Sequence, residues 1–127
     1  NITDVRFITS APAGGSSKTV TCEVTWDEGV TVAGSPQLTV ANNNAGSGSG
    51  RTCVLTYTAT GSSANRKRFT ATNITVAEDD VLSVGAATGS LALNSGTLSD
   101  TEMGGTAVPA FLDLSDTSAV TITVTAS

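Results

Sequence analysis

Histidine is absent from the 127 residues, so the side chains left to do chemistry are carboxylates, cations, hydroxyls and two thiols. Without imidazole the commonest general base and metal ligand are gone, and with them the Ser-His-Asp and Cys-His arrangements. A carboxylate pair can still hydrolyse a glycoside, but nothing in the sequence places two acids across an aromatic cleft. The expectation is a protein that is not an enzyme. Glu78, Asp79 and Asp80, with Asp100 farther on, could hold calcium, a hard cation that takes several carboxylate oxygens from a turn. A solvated acidic turn is the favoured reading, and no cofactor is expected.

Arg66, Lys67 and Arg68 gather three of the six basic residues into one step of chain. They could dock on an acidic partner; the plainer reading is charge that protects a strand edge from sheet-to-sheet pairing. Trp26 could stack on a sugar, but it alternates with Val20, Cys22 and Val24 and so belongs in the core. Cys22 and Cys53 share parity with apolar neighbours and should both point inward. Whether they form a disulfide stays open: they would pair in an oxidising compartment and otherwise act as small buried hydrophobes. Asn1-Ile2-Thr3 and Asn73-Ile74-Thr75 match the glycosylation sequon, a motif short enough to arise by chance.

The elements that must position these groups are strands. Charged residues make up 13% and aromatics 4%, while Thr, Ser, Ala, Val and Gly dominate, which suits pleated surfaces joined by turns. KTVTCEVTW (residues 18–26) alternates with period two, placing Val20, Cys22 and Val24 inside and Glu23 towards solvent. AVTITVTA near the end turns Val120, Ile122 and Val124 inward in the same way. In NRKRFTATNITV the apolar parity slips between Ala71 and Ile74, predicting a bulge near Thr72-Asn73. NNNAGSGSG (residues 42–50) reads as a mobile loop, Asn94-Ser95-Gly96 as a turn, and residues 101–110 as loop. Residues 1–127 make a single domain, an all-β antiparallel sandwich of about seven to eight strands.

A net charge of −5 and a pI near 4.3 repel phosphate backbones, so nucleic acid is not an expected partner. No run of about 20 apolar residues suggests a membrane span.

VTCEVTWDEGVTVAGSPQLTV (residues 20–40) resembles the start of a bacterial immunoglobulin-like repeat. Such repeats place an aromatic residue before an acid and then V-x-V-x-G-x-P-x-L, matched here by Trp26, Glu28, Val30, Val32, Gly34, Pro36 and Leu38. SLALNSGTLSD (residues 90–100) is similar to the family's second signature, with Leu98 in place of isoleucine, and FLDLSD (residues 111–116) looks like its tail. The resemblance implies an immunoglobulin-like sandwich of the kind found in bacterial surface proteins and on tailed-phage heads, tails and fibres. It implies a virion or extracellular, cell-surface location and protein partners in a larger assembly. The leading expectation is a many-copy virion protein, a capsid decoration or tail-associated subunit. The alternatives are an adhesive or surface-layer module and a carbohydrate-binding module recognising surface glycans. Many repeats carry an acidic, glycine-containing loop suited to calcium; here that region is Ala77-Glu78-Asp79-Asp80, with no glycine among the acids. Docking is expected through Arg66 to Arg68 or the segments Asn1 to Ile8 and Val120 to Ser127.

Overall fold

Short runs of alternating β-branched and polar residues offer no helical stripe to bury, so the chain pairs strand against strand. The computed structural model describes residues 2–85, 90–101, 107–109 and 117–126. Its strands are β1 (Ile2–Phe7), β2 (Gly15–Trp26), β3 (Val30–Ala33), β4 (Gln37–Asn42), β5 (Cys53–Thr58) and β6 (Arg66–Val76). They continue with β7 (Val81–Val84), β8 (Ser90–Ala92), β9 (Thr97–Thr101), β10 (Ala107–Pro109) and β11 (Val120–Thr123). The expected loop over residues 101–110 therefore contains β10, and Thr101 closes β9.

Seven strands run in the order β1-β2-β6-β5-β4-β7-β11, with β8 added on β4, and a smaller sheet has the order β10-β9-β3. Lettering the seven from A to G in chain order gives A-B-E-D followed by C-F-G, the strand order of an immunoglobulin constant-type sandwich. β4 joins the two halves. Its first four residues pair with β5, while Ala41 and Asn42 pair with β7. At the opposite seam Ala13 bridges Thr125 in parallel, with Thr125 N–H donating to Pro12 O and Gly14 N–H to Thr125 O.

The inward sets fill one core. Val20, Cys22, Val24, Leu38, Cys53, Leu55, Phe69, Leu82 and Val84 are sealed from solvent, and Trp26 is buried with them. Each such aliphatic side chain contributes roughly 1.5–3 kcal/mol by leaving water. In the last strand region Val124 is buried, but Val120 and Ile122 are only half-buried, because β11 ends the sheet order. The bulge expected near Thr72-Asn73 is present: Lys18 pairs with Ile74 and Val20 with Ala71, so two residues of β6 face Thr19 alone.

The two segments that carry the family resemblance are partners. β3 pairs with β9 and the start of β4 pairs with β8, so each strand–turn–strand lies along the other. They cross at Gly34 and Gly96, where a Cβ on Gly34 would stand 2.7 Å from the Gly96 Cα. Gly34 also has φ +75°, a backbone region that favours glycine. Asn94 and Ser95 turn the chain with positive φ, closed by Gly96 N–H to Leu93 O at 2.7 Å. That turn does not form a hairpin. It passes the chain from the large sheet to the small one.

Candidate functional site

Asp80 lies outside the strands, in the turn between β6 and β7, yet it is fully buried. Its carboxylate collects five donors. Arg51 grips both oxygens, Nε to Oδ2 at 2.6 Å and Nη2 to Oδ1 at 2.7 Å. Gly46 N–H donates to Oδ1 at 2.8 Å, Ala77 N–H to Oδ2 at 3.0 Å and Asn42 Nδ2 to Oδ2 at 3.2 Å. The Arg51 guanidinium, first among these, holds the Asp80 carboxyl well below the usual carboxylate range against the opposing effect of burial, with the backbone donors helping. The same bond raises Arg51. A two-pronged arginine grip is among the strongest ionic contacts available to a carboxylate.

This contact ties the base of the expected loop over residues 42–50 back to the strands. Asn44 N–H donates to Asn42 Oδ1, Arg51 N–H to Asn44 Oδ1, and Ala45 N–H and Val81 N–H to Asn43 Oδ1. Short Asn side chains close turns in this way by substituting for backbone acceptors. Arg51 Nη1 also reaches Ser47 O at 2.8 Å. Residues 47–50 remain exposed as a tip on this tied base. The turn reaches the last strand region too, through Val124 N–H to Asp80 O and Asp79 N–H to Val124 O.

Both readings of the acidic turn need correction at Asp80. It is neither solvated nor offered to calcium, because its two oxygens face arginine, amide and backbone N–H groups. Glu78 and Asp79 are exposed. Asp100 sits in β9 opposite Val30 and Val108, and its side chain lies outside the described residues. Among the described residues no three His, Cys, Asp or Glu side chains gather as a metal ligand set.

Glu23 is the second correction. Parity puts it on the outer side of β2, as expected, but it is only 3% exposed. Arg6 and Arg68 stand directly opposite it on β1 and β6 and close over it. Arg6 donates from Nε and Nη2 to Oε1 at 3.2 and 3.0 Å, and Arg68 from Nε to Oε2 at 3.2 Å. Burial works to raise the Glu23 carboxyl, and the bonds from Arg68 and Arg6 outweigh it and bring it down. The long arginine stems do the covering. No hydrophobic pattern could reveal it.

The basic run does not form one patch. Alternation sends Arg66 and Arg68 outward and Lys67 to the core side, where Lys67 is 8% exposed and its Nζ donates to Ser63 O at 2.6 Å. Burial lowers the Lys67 ammonium. Nor does this run guard an edge, since β6 lies between β2 and β5. β1 and β11 do occupy the ends of the sheet order. Trp26 is 1% exposed, so it offers no platform to a sugar. Cys22 and Cys53 both lie inside as free thiols. Burial raises Cys53 to about 11, and burial with the neighbouring Cys53 raises Cys22 further. Asn73 is exposed in the β6 bulge, while FLDLSD lies outside the described residues.

No family model, no curated protein and no solved structure matches this chain.

Proposed function

We propose that the protein is a non-enzymatic structural module that works by presenting its surface to protein neighbours in a multi-copy assembly. Its leading form is a capsid decoration or tail-associated subunit of a tailed-phage virion. The observation that carries this reading is the use made of the two buried carboxylates. Asp80 and Glu23 are held by arginine and backbone donors, which fixes loops and strands and leaves no free oxygen facing a cleft. The work then falls to the exposed faces and to the loop tip at residues 47–50. The pairing of the two signature-like segments supports the immunoglobulin-like part of the reading, and the virion form rests on the resemblance alone. Quantitative mass spectrometry of purified particles from the source should find the chain in many copies per particle. Recovery only as a free monomer that binds one sugar would overturn the proposal.

A second reading, a module of a bacterial adhesive or surface-layer protein, rests on the same pairing of the two signature-like segments. Recovery of the chain within a larger envelope protein would select it.

A further inference from the structure

We infer that the outer face of β1, β2 and β6 is a docking surface for a carboxylate-bearing protein neighbour, with Arg6, Arg66 and Arg68 as its contact groups. The inference rests on the reading of the protein as a surface-presenting module and gives that module one oriented face. The chain has six cations, and all lie within the described residues. Arg51 is consumed by Asp80 and Lys67 is buried against Ser63. Of the four that remain, Lys18 stands apart and the other three share this face. Cross-strand register puts Arg6, Glu23 and Arg68 in one row and Asp4, Thr25 and Arg66 in the next. Three arginines therefore stand against two acids, on a molecule whose net charge is −5. The rest of the surface repels an acidic neighbour and this face attracts it, which orients the encounter.

The arginines are also prepared for contact. Glu23 pins the inner edges of Arg6 and Arg68, whose side chains remain 52% and 33% exposed. Nη1 of Arg6 and both Nη groups of Arg68 make no hydrogen bond to the described residues, and the Arg68 guanidinium lies over Gly61, where an added Cβ would stand 2.6 Å from its Nη1. Pinning removes side-chain freedom before binding, and less is lost when the partner arrives. Both guanidinium groups converge on the one Glu23 carboxylate, Arg6 on Oε1 and Arg68 on Oε2, so together they present one compact cationic patch. Beside them the next row holds Thr21 and Thr70, hydroxyl to hydroxyl at 2.8 Å, with Thr56 beyond. This low relief admits a flat protein surface.

The test is NMR titration of the labelled protein with an oligoglutamate peptide at low ionic strength. Amide shifts are expected around Arg6, Thr21, Glu23, Arg66, Arg68 and Thr70, and they should vanish near 1 M salt, where screening acts within about 3 Å. Arg66→Glu, at an exposed residue outside the Glu23 contact, should abolish them without altering the rest of the spectrum. Lys18→Glu, the same charge change off the face, should leave them. Shifts elsewhere, no shifts, or equal loss in both variants would overturn the docking face. None of these results bears on copy number in a particle, so the broader structural reading stands or falls separately.

Discussion

Asp80 and Glu23 are both buried carboxylates held by arginine, yet they hold different kinds of structure. Asp80 sits where the backbone is irregular, and three of its donors come from Gly46, Ala77 and Asn42 rather than from a cation. Glu23 sits within a regular ladder whose backbone bonds exist without it, and only arginines reach it. Removing Asp80 would strand backbone N–H groups and the Arg51 charge away from water. Removing Glu23 would free two arginines that already touch solvent. The same ion-pair chemistry therefore defines the path of the chain in one place and tunes a surface in the other.

The sharpest way to break this comparison is Asp80→Ala. An uncompensated buried partner costs about 3–5 kcal/mol, a large part of a typical domain stability of about 5–15 kcal/mol. Urea denaturation should show that loss, with residues 43–50 becoming sensitive to protease under native conditions. A change within error would mean that the Asn turns hold the loop without the carboxylate.

Acid should expose both carboxylates in turn. Each has a lowered native pKa, so between its native and unfolded values the unfolded state binds more protons and stability falls as pH falls. The contribution is fully present above the ordinary values of 4.5 for Glu23 and 3.8 for Asp80. It disappears as pH drops through the native values, which for Asp80 lie far lower. Urea midpoints measured from neutral pH to about pH 2 should therefore decline. Asp80→Asn should flatten most of that decline and Glu23→Gln a smaller part. An unchanged slope in Asp80→Asn would remove the carboxylate from the account.

Glu23→Gln itself should cost only about 1–2 kcal/mol, the range for a hydrogen bond to a charged group with solvent nearby. Glu23→Lys should cost more, because it sets three cations in one row and like charges directly opposite on a sheet repel. Equal stability of wild type and Glu23→Lys would restore the solvent-facing role that alternation assigns to this position.

The contrast also marks what the sequence could reveal. Strand positions, the inward set of β2 and the bulge at Thr72-Asn73 were legible because each alters a period-two pattern. The Asp80 knot was not. Its partners Arg51 and Gly46 lie 29 and 34 residues away in sequence, within a polar stretch that has no period of its own. The run Asn42-Asn43-Asn44 carried a signal for closed turns, but its glycines and serines outweighed it as a signature of looseness. At Glu23 alternation gives the outward parity but not the burial, because the covering atoms belong to arginines on neighbouring strands. Register, not composition, brings those arginines over it.

The smallest expected effect uses the two thiols as reporters, because Cys22 adjoins Glu23 in the chain and Cys53 follows closely on Arg51, the cation that holds Asp80. Cys22 is the neighbour of Glu23 in β2, which is paired on both edges, by β1 and β6. Cys53 follows Arg51 by two residues at the start of β5. Both are buried, and burial raises both thiols, so native alkylation of either should be slow: the thiolate is the reacting form. Asp80→Asn should loosen the base of the loop and speed alkylation of Cys53 before Cys22, through local opening rather than global unfolding. Glu23→Gln should leave Cys22 protected, since the ladder bonds around it persist. Peptide mass spectrometry after timed alkylation separates the two sites. Equal acceleration of both thiols in Asp80→Asn would show that the knot opens only with the whole sandwich, and the division into a chain-shaping carboxylate and a surface-tuning one would fail.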